Sequence, residues 1–362
     1  MIEDKYLTSE ERAIFSLRKL YNQFGYLPFC MSKFEEYDLY RENKEFLMGE
    51  GVIAFNDTDG RLLALKPVVT LSIIKNTKDE SGCVHKVCYN ENVYRISEKT
   101  HRYKEIMQAG LECIGDTDIY DICEVLTLAL GSLATVSDEF VLDISHMGIL
   151  SSVLDGASDS LAFKEKMIKL LSGKNRHEAE HLCREYLVSE EKKKDILSLF
   201  DICGDYKSSL EKLSPICERA GAVGAYNELS DIGNLLAECE YFDRVRIDFS
   251  VVNDMNYYSG IVFKGFIVGV YEGILSGGEY GKLMRKMGRE YNALGFALYL
   301  DLLDMKDEGA ARSDVDVLIL YDEKSDTGAL IKKRNELISE GKSVSVQRCI
   351  PERLRYREMI KI

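Results

Sequence analysis

No apolar run in this 362-residue chain reaches the roughly 18 residues needed to cross a bilayer. The opening Met1-Ile2-Glu3-Asp4-Lys5 lacks the basic-then-apolar order of a secretion signal. No two cysteines stand closer than Cys83 and Cys88, so the ten thiols give no tight metal-ligand spacing. Without an export signal they are expected to be reduced thiols of a cytoplasmic protein. Basic residues are outnumbered, 47 against 61 acidic, for a net charge of −14. That balance argues against a large nucleic-acid footprint, which rests on clustered Lys and Arg. There is no internal repeat and no low-complexity tract. What is present is ordinary globular composition, 46% hydrophobic and 30% charged, in a chain long enough for two or three units.

Residues 8–24 open with Thr8 or Ser9 followed by glutamates and then apolar positions at helical spacing, which predicts a helix ending at Gly25. Asp57-Thr58-Asp59-Gly60 between the apolar stretches 52–56 and 62–67 predicts a hairpin. Further strands are expected at 84–89, 92–96, 106–114 and 140–145, with a helix over 119–133. From about Ser160 to Glu240 strand formers thin out and the pattern is helical throughout. Strands return at 244–252 and 258–270, followed by a glycine-rich bend at 276–278 and two helices at 280–288 and 294–305. Residues 307–313 read as a polar linker, and a strand, a helix and a strand (315–321, 327–340, 343–349) form a small α/β tail. Hairpin-linked strands imply an antiparallel sheet, hence α+β. The expected division is a core in two parts (1–159 and 241–306), a helical insertion (160–240) and a truncated tail (312–362).

His177-Glu178-Ala179-Glu180-His181 matches a zinc-helix spacing, but its highly charged flanks read as a solvated face. Ser276-Gly277-Gly278-Glu279-Tyr280-Gly281-Lys282 lacks phosphate-loop spacing and reads as a strand-to-helix turn whose glycines allow close backbone approach. The run Lys192-Lys193-Lys194, flanked by acids, reads as an exposed helix face. More informative are Gln108 and Glu112, four apart in a strand and so on one face. An amide and a carboxylate so placed can line a polar pocket for an amine-bearing or cationic ligand, or simply face solvent at an edge. Tyr257-Tyr258 ahead of Ser259-Gly260 can add an aromatic wall.

Five segments then fall in the order of one family. Lys66-Pro67-Val68-Val69-Thr70, Val93-Tyr94-Arg95 with His101 through Gln108, Tyr257 through Phe263, Gly277-Gly278-Glu279-Tyr280, and 293–303 resemble histidyl-tRNA synthetase and its relatives. They match its arginine-proline segment, its class II motif 2, its two histidine-specific motifs and its motif 3. The resemblance covers roughly 8–305. It implies the class II synthetase-like antiparallel sheet flanked by helices, and a histidine pocket made of Thr70, Arg95, Gln108, Glu112, Tyr257, Tyr258 and Tyr280.

The departures from the family pattern bear on function. The family's ATP-binding arginine falls at Leu302, its catalytic arginine at Asn253, and the acid that would hold the substrate amine at Val68. The motif 1 proline falls at Ser32, and motif 2 is one residue short between Arg95 and Arg102, its loop glutamate being Ser97 or Glu98. Adenylation develops charge that needs those cations, so its chemistry is expected to be lost. The tail is about half the length of a full anticodon-binding domain and not notably basic. The pattern resembles the regulatory subunit of ATP phosphoribosyltransferase, a synthetase paralogue without catalytic residues, cofactor or metal of its own. That resemblance implies a short-form catalytic subunit as partner in a hetero-octamer, four plus four, self-dimers, feedback inhibition by histidine, and neither tRNA nor membrane binding. A ligase activating an amino acid with ATP, and a free-standing histidine sensor, are the competing classes.

Overall fold

The computed structural model describes residues 7–47, 51–97, 100–252, 257–303 and 313–362. The chain divides into two compact units, Met1–Lys306 and Asp307–Ile362. The expected positions Asn253 and Glu98, residues 304–305 at the end of one predicted helix, and all of the polar linker except Ser313 lie outside the described residues.

The first helix, α1 (Ser9–Gln23), starts at a reciprocal cap: Thr8 accepts from the Glu11 N–H while Glu11 accepts from the Thr8 N–H. Gly25 at φ +82° then turns the chain. Next come β1 (Leu27–Pro28), β2 (Phe34–Glu36), α2 (Tyr37–Glu42), β3 (Ala54–Asn56), β4 (Leu62–Leu65) and α3 (Thr70–Asn76). The β3–β4 hairpin turns at Gly60, also at φ +82°, as the Asp-Gly pair predicts. The long ribbon β5 (Val84–Ile96) and β6 (Tyr103–Gly115) is followed by α4 (Ile119–Val136), β7 (Phe140–His146) and α5 (Met147–Asp155). Helix α4 is long and apolar enough to cross a membrane by length and composition, yet Val125, Leu126, Leu128 and Ala129 are buried in the core.

The predominantly helical stretch consists of α6 (Leu161–Ser172), α7 (Arg176–Glu185), α8 (Glu190–Leu199), β8 (Cys203–Asp205), α9 (Tyr206–Ala220) and α10 (Val223–Leu236). Its Phe163, Met167, Leu213 and Ile232 join the same apolar core as α4 and β7. The short strand β8 corrects the all-helical expectation: it pairs with β9 (Val245–Asp248) at the sheet edge. After it come β10 (Ile261–Ile267), β11 (Leu275–Glu279), α11 (Gly281–Lys286) and β12 (Asn292–Tyr299). Among the described residues these strands form a nine-stranded sheet, ordered β1-β5-β6-β12-β11-β10-β7-β9-β8. It is antiparallel except at β1/β5 and β7/β9, as the hairpin reading implies.

Three sequence expectations are corrected here. The predicted helix at 294–305 is strand β12 followed by a 3-10 turn at Leu300–Leu303. The segment Ala293-Leu294-Gly295-Phe296 is buried on both faces because β12 lies between β6 and β11, so its apolar run carries no period-2 signal. The glycine-rich stretch 276–278 is extended strand, and the strand expected over 244–252 ends at Asp248 in a 3-10 turn.

The second unit contains β13 (Val315–Leu320), the tail helix Thr327–Ser339, β14 (Val344–Gln347) and β15 (Tyr356–Lys361). The last strand was not anticipated; all pairings are parallel, in the order β14-β13-β15. Val317, Ile319 and Leu337 make its small core.

Candidate functional site

Strand β6 carries Gln108 and Glu112 in the middle of the sheet, where period two puts both on one face. Glu112 is opposite Val87 of β5 and Gly295 of β12, and Gln108 is opposite Glu91 and Tyr299. Gln108 is 3% and Glu112 2% exposed, so an edge-strand, solvent-facing role is excluded. Glycines create the space above this face. A Cβ on Gly110 would overlap the Phe296 carbonyl and crowd the Tyr89 hydroxyl, and one on Gly277 would overlap the Gly295 carbonyl. Here the glycines of the 276–282 motif serve close backbone approach, not a phosphate.

All seven residues expected for the pocket line one cavity of about 80 Å³: Thr70, Arg95, Gln108, Glu112, Tyr257, Tyr258 and Tyr280. At about 10–15 Å³ per water the space suits a molecule the size of an amino acid. Sequence reasoning missed Phe46, Leu47, Tyr89 and Tyr299, which also line it. Phe46 comes from a 3-10 turn after α2 whose contribution carries no local motif.

The polar floor is a network on Glu112. Thr70 Oγ1 donates to Oε1 at 2.8 Å, and the Tyr280 hydroxyl donates to Oε2. Burial pushes the Glu112 carboxyl up to about 7, and the two donated bonds offset only part of that rise. Thr70 starts α3 and Tyr280 precedes α11, so two helix starts fix the donors. Gln108 is buried and lines the same cavity. Tyr257 packs edge-on to Tyr258 (4.7 Å between centroids) and against Tyr280 and Phe46 (6.0 and 6.1 Å), giving an aromatic wall. Arg95 Nε donates to the Pro67 carbonyl at 2.9 Å, which holds the guanidinium beside Val68.

Val68 is in the cavity lining, where it presents an aliphatic side chain. Leu302 is half-buried in the 3-10 turn after β12 and packs on the main apolar core. It offers no charge to a triphosphate. His177 and His181 are exposed on α7, whose buried face is Ala179, Leu182 and Cys183.

A second buried polar group was not foreseen. Lys66 is fully buried and its Nζ donates to Glu91 Oε2 at 2.9 Å. Burial pulls its pKa below the usual lysine value.

Residues 5–303 match the profile of the histidyl-tRNA synthetase family. The chain is 30% identical over 319 residues to an ATP phosphoribosyltransferase regulatory subunit from Acetivibrio thermocellus, covering 85% of this chain and 76% of the relative. A solved ATP phosphoribosyltransferase regulatory subunit/histidyl-tRNA synthetase from Bacillus halodurans superposes with a TM-score of 0.77 at 21% identity, covering 98% of this chain and 93% of that one. A chain of the ATP phosphoribosyl transferase (HisG:HisZ) complex from Thermotoga maritima gives 0.63 at 20% identity, covering 79% and 96%.

Proposed function

The chain belongs to the ATP phosphoribosyltransferase regulatory subunits, a branch of the histidyl-tRNA synthetase family, and from that membership we propose a specific division of labour. A separate short-form catalytic subunit performs phosphoribosyl transfer in the cytoplasm. This chain holds that subunit in its active arrangement and relays histidine inhibition. The assembly is a hetero-octamer of four catalytic and four regulatory chains, the latter paired as self-dimers.

The observation that carries this reading is the combination of a cavity lined by the seven expected residues with a half-buried Leu302 that packs on the apolar core. Adenylation needs preorganised positive charge where the triphosphate reacts, and losing such groups costs orders of magnitude in rate. Recognition of a small ring needs only Glu112, Gln108, Thr70 and the tyrosines. The scaffold therefore supports binding without its ancestral chemistry. Regulation requires the ligand to favour one state of the complex over another, and a coupling of about 1–3 kcal/mol is sufficient.

Two measurements test this reading. Mixing the chain with a short-form phosphoribosyltransferase should give one large species by light scattering, with histidine-sensitive activity. Pyrophosphate exchange with ATP and histidine should stay at background. Exchange at a synthetase-like rate would establish the ligase reading instead.

A further inference from the structure

The two donors on Glu112 stand at the starts of two separate short helices. Thr70 is the first residue of α3, and Tyr280 immediately precedes α11. Helices of about two turns do not hold their place alone, so something else must fix them. Leu71 and Ile73 of α3 and Leu283 and Met284 of α11 share one apolar cluster. Apolar contact of that kind is non-directional.

A single side chain joins the far end of α3 to the far end of α11. Arg289, just beyond α11, donates from Nη1 to the Ile74 and Thr77 carbonyls at 2.8 Å each, and from Nε to Asp79 Oδ1 at 2.7 Å. Its own N–H donates to the Met284 carbonyl at 2.9 Å, and the Glu290 N–H donates to Asp79 Oδ2 at 2.9 Å. The guanidinium therefore caps the C-terminal end of α3 while its backbone is tied to α11. The hydrogen bond from Arg289 also holds the Asp79 carboxyl below its ordinary range. A planar fork spread over two carbonyls and a carboxylate fixes direction as well as distance.

We propose that Arg289 is a positioning residue: from outside the cavity lining, and through α3, it holds the Thr70 hydroxyl on the Glu112 carboxyl. Without the fork the C-terminal end of α3 is free to tilt, which carries Thr70 at the other end away from Oε1. The inference concerns the same cavity but does not depend on what occupies it.

The readout is the titration of Glu112, whose carboxyl is pushed up by burial to about 7. The hydroxyls of Tyr89, Tyr257, Tyr258 and Tyr280 around it are raised by burial above their ordinary value, so they stay neutral in that range. The full chain, labelled with carbon-13 at its glutamate carboxyls, is titrated by NMR, and Glu112→Gln assigns the signal. Thr70→Val removes a donor that favours the ionised form, so the midpoint should rise by about one pH unit. Arg289→Leu should move it the same way, and the double variant no further than Thr70→Val alone. Arg289→Lys keeps a charge opposite Asp79 but lacks the fork, so it should stay folded and still raise the midpoint. A folded Arg289 variant with the natural midpoint would overturn the proposal and leave Arg289 as a stabilising residue only. Additive shifts in the double variant, or no shift in Thr70→Val, would overturn it too. No ligand or partner enters the measurement, so failure to assemble with a phosphoribosyltransferase cannot be mistaken for failure of this inference.

Discussion

Gly295 lies directly opposite Glu112 across the β6/β12 pairing, and a methyl group on it would overlap both Glu112 Oε2 and the Leu111 carbonyl. The carboxylate at the centre of the pocket occupies space that the facing strand leaves vacant.

Gly295→Ala should therefore damage both fold and site. The backbone carbonyl of Leu111 cannot swing away, so overpacking of about 1–3 kcal/mol is expected. A lower midpoint in chemical unfolding, with an unchanged denaturant slope, checks it. An unaltered midpoint would mean that β6 and β12 relax freely here.

Stability should fall as pH rises through the acidic range, and Glu112 should account for much of the fall. Its carboxyl is raised by burial to about 7 from an ordinary 4.5. Between those values the folded chain keeps a proton that the unfolded chain has released, so each step up in pH favours unfolding. Asp143, raised to about 6 by burial and by its neighbour Asp248, adds the same sign. Glu112→Gln should flatten the curve by about 2–4 kcal/mol between pH about 4.5 and pH about 7. Unfolding curves of both proteins across that range would reveal it; parallel curves would count against a protonated Glu112.

The Lys66–Glu91 pair should behave as a buried ion pair does. Glu91→Gln leaves a wholly buried ammonium without its counter-charge, at a cost of about 3–5 kcal/mol. Lys66→Met together with Glu91→Leu should recover most of that loss. A double-mutant cycle by denaturant titration measures the coupling, and a coupling near zero would show the pair to be incidental.

Leu302→Arg should not restore exchange of pyrophosphate into ATP. Leu302 packs among core side chains, so an arginine there costs roughly 1–3 kcal/mol of stability before it can meet a nucleotide. Thermal unfolding and exchange measured on the same preparation separate the two effects. Gain of exchange from this single change would show that the remaining machinery is intact.

The legible parts of the sequence were those where one local rule acts alone. The Thr8/Glu11 cap, the Asp59-Gly60 hairpin and the shared face of Gln108 and Glu112 each follow from spacing within a few residues. The seven pocket positions came from resemblance, and the fold brings them to one cavity. Strand β12 escaped because a central strand is apolar on both sides and its residues fit a helix equally well. Residues 84–89 and 92–96 read as two strands because Asn90-Glu91 interrupts the apolar pattern, yet β5 runs through both, with Glu91 accepting from Lys66. Phe46 and Tyr299 were invisible for another reason: their roles exist only once distant segments meet.

Thr70 and Tyr280 both direct donors at a carboxyl that is about half protonated near neutrality. A ligand offering a ring N–H to that group should favour its ionised form, so affinity should change with pH across the titration of Glu112. A pH series of binding heats would then read the charge state of a group that no bulk solvent reaches.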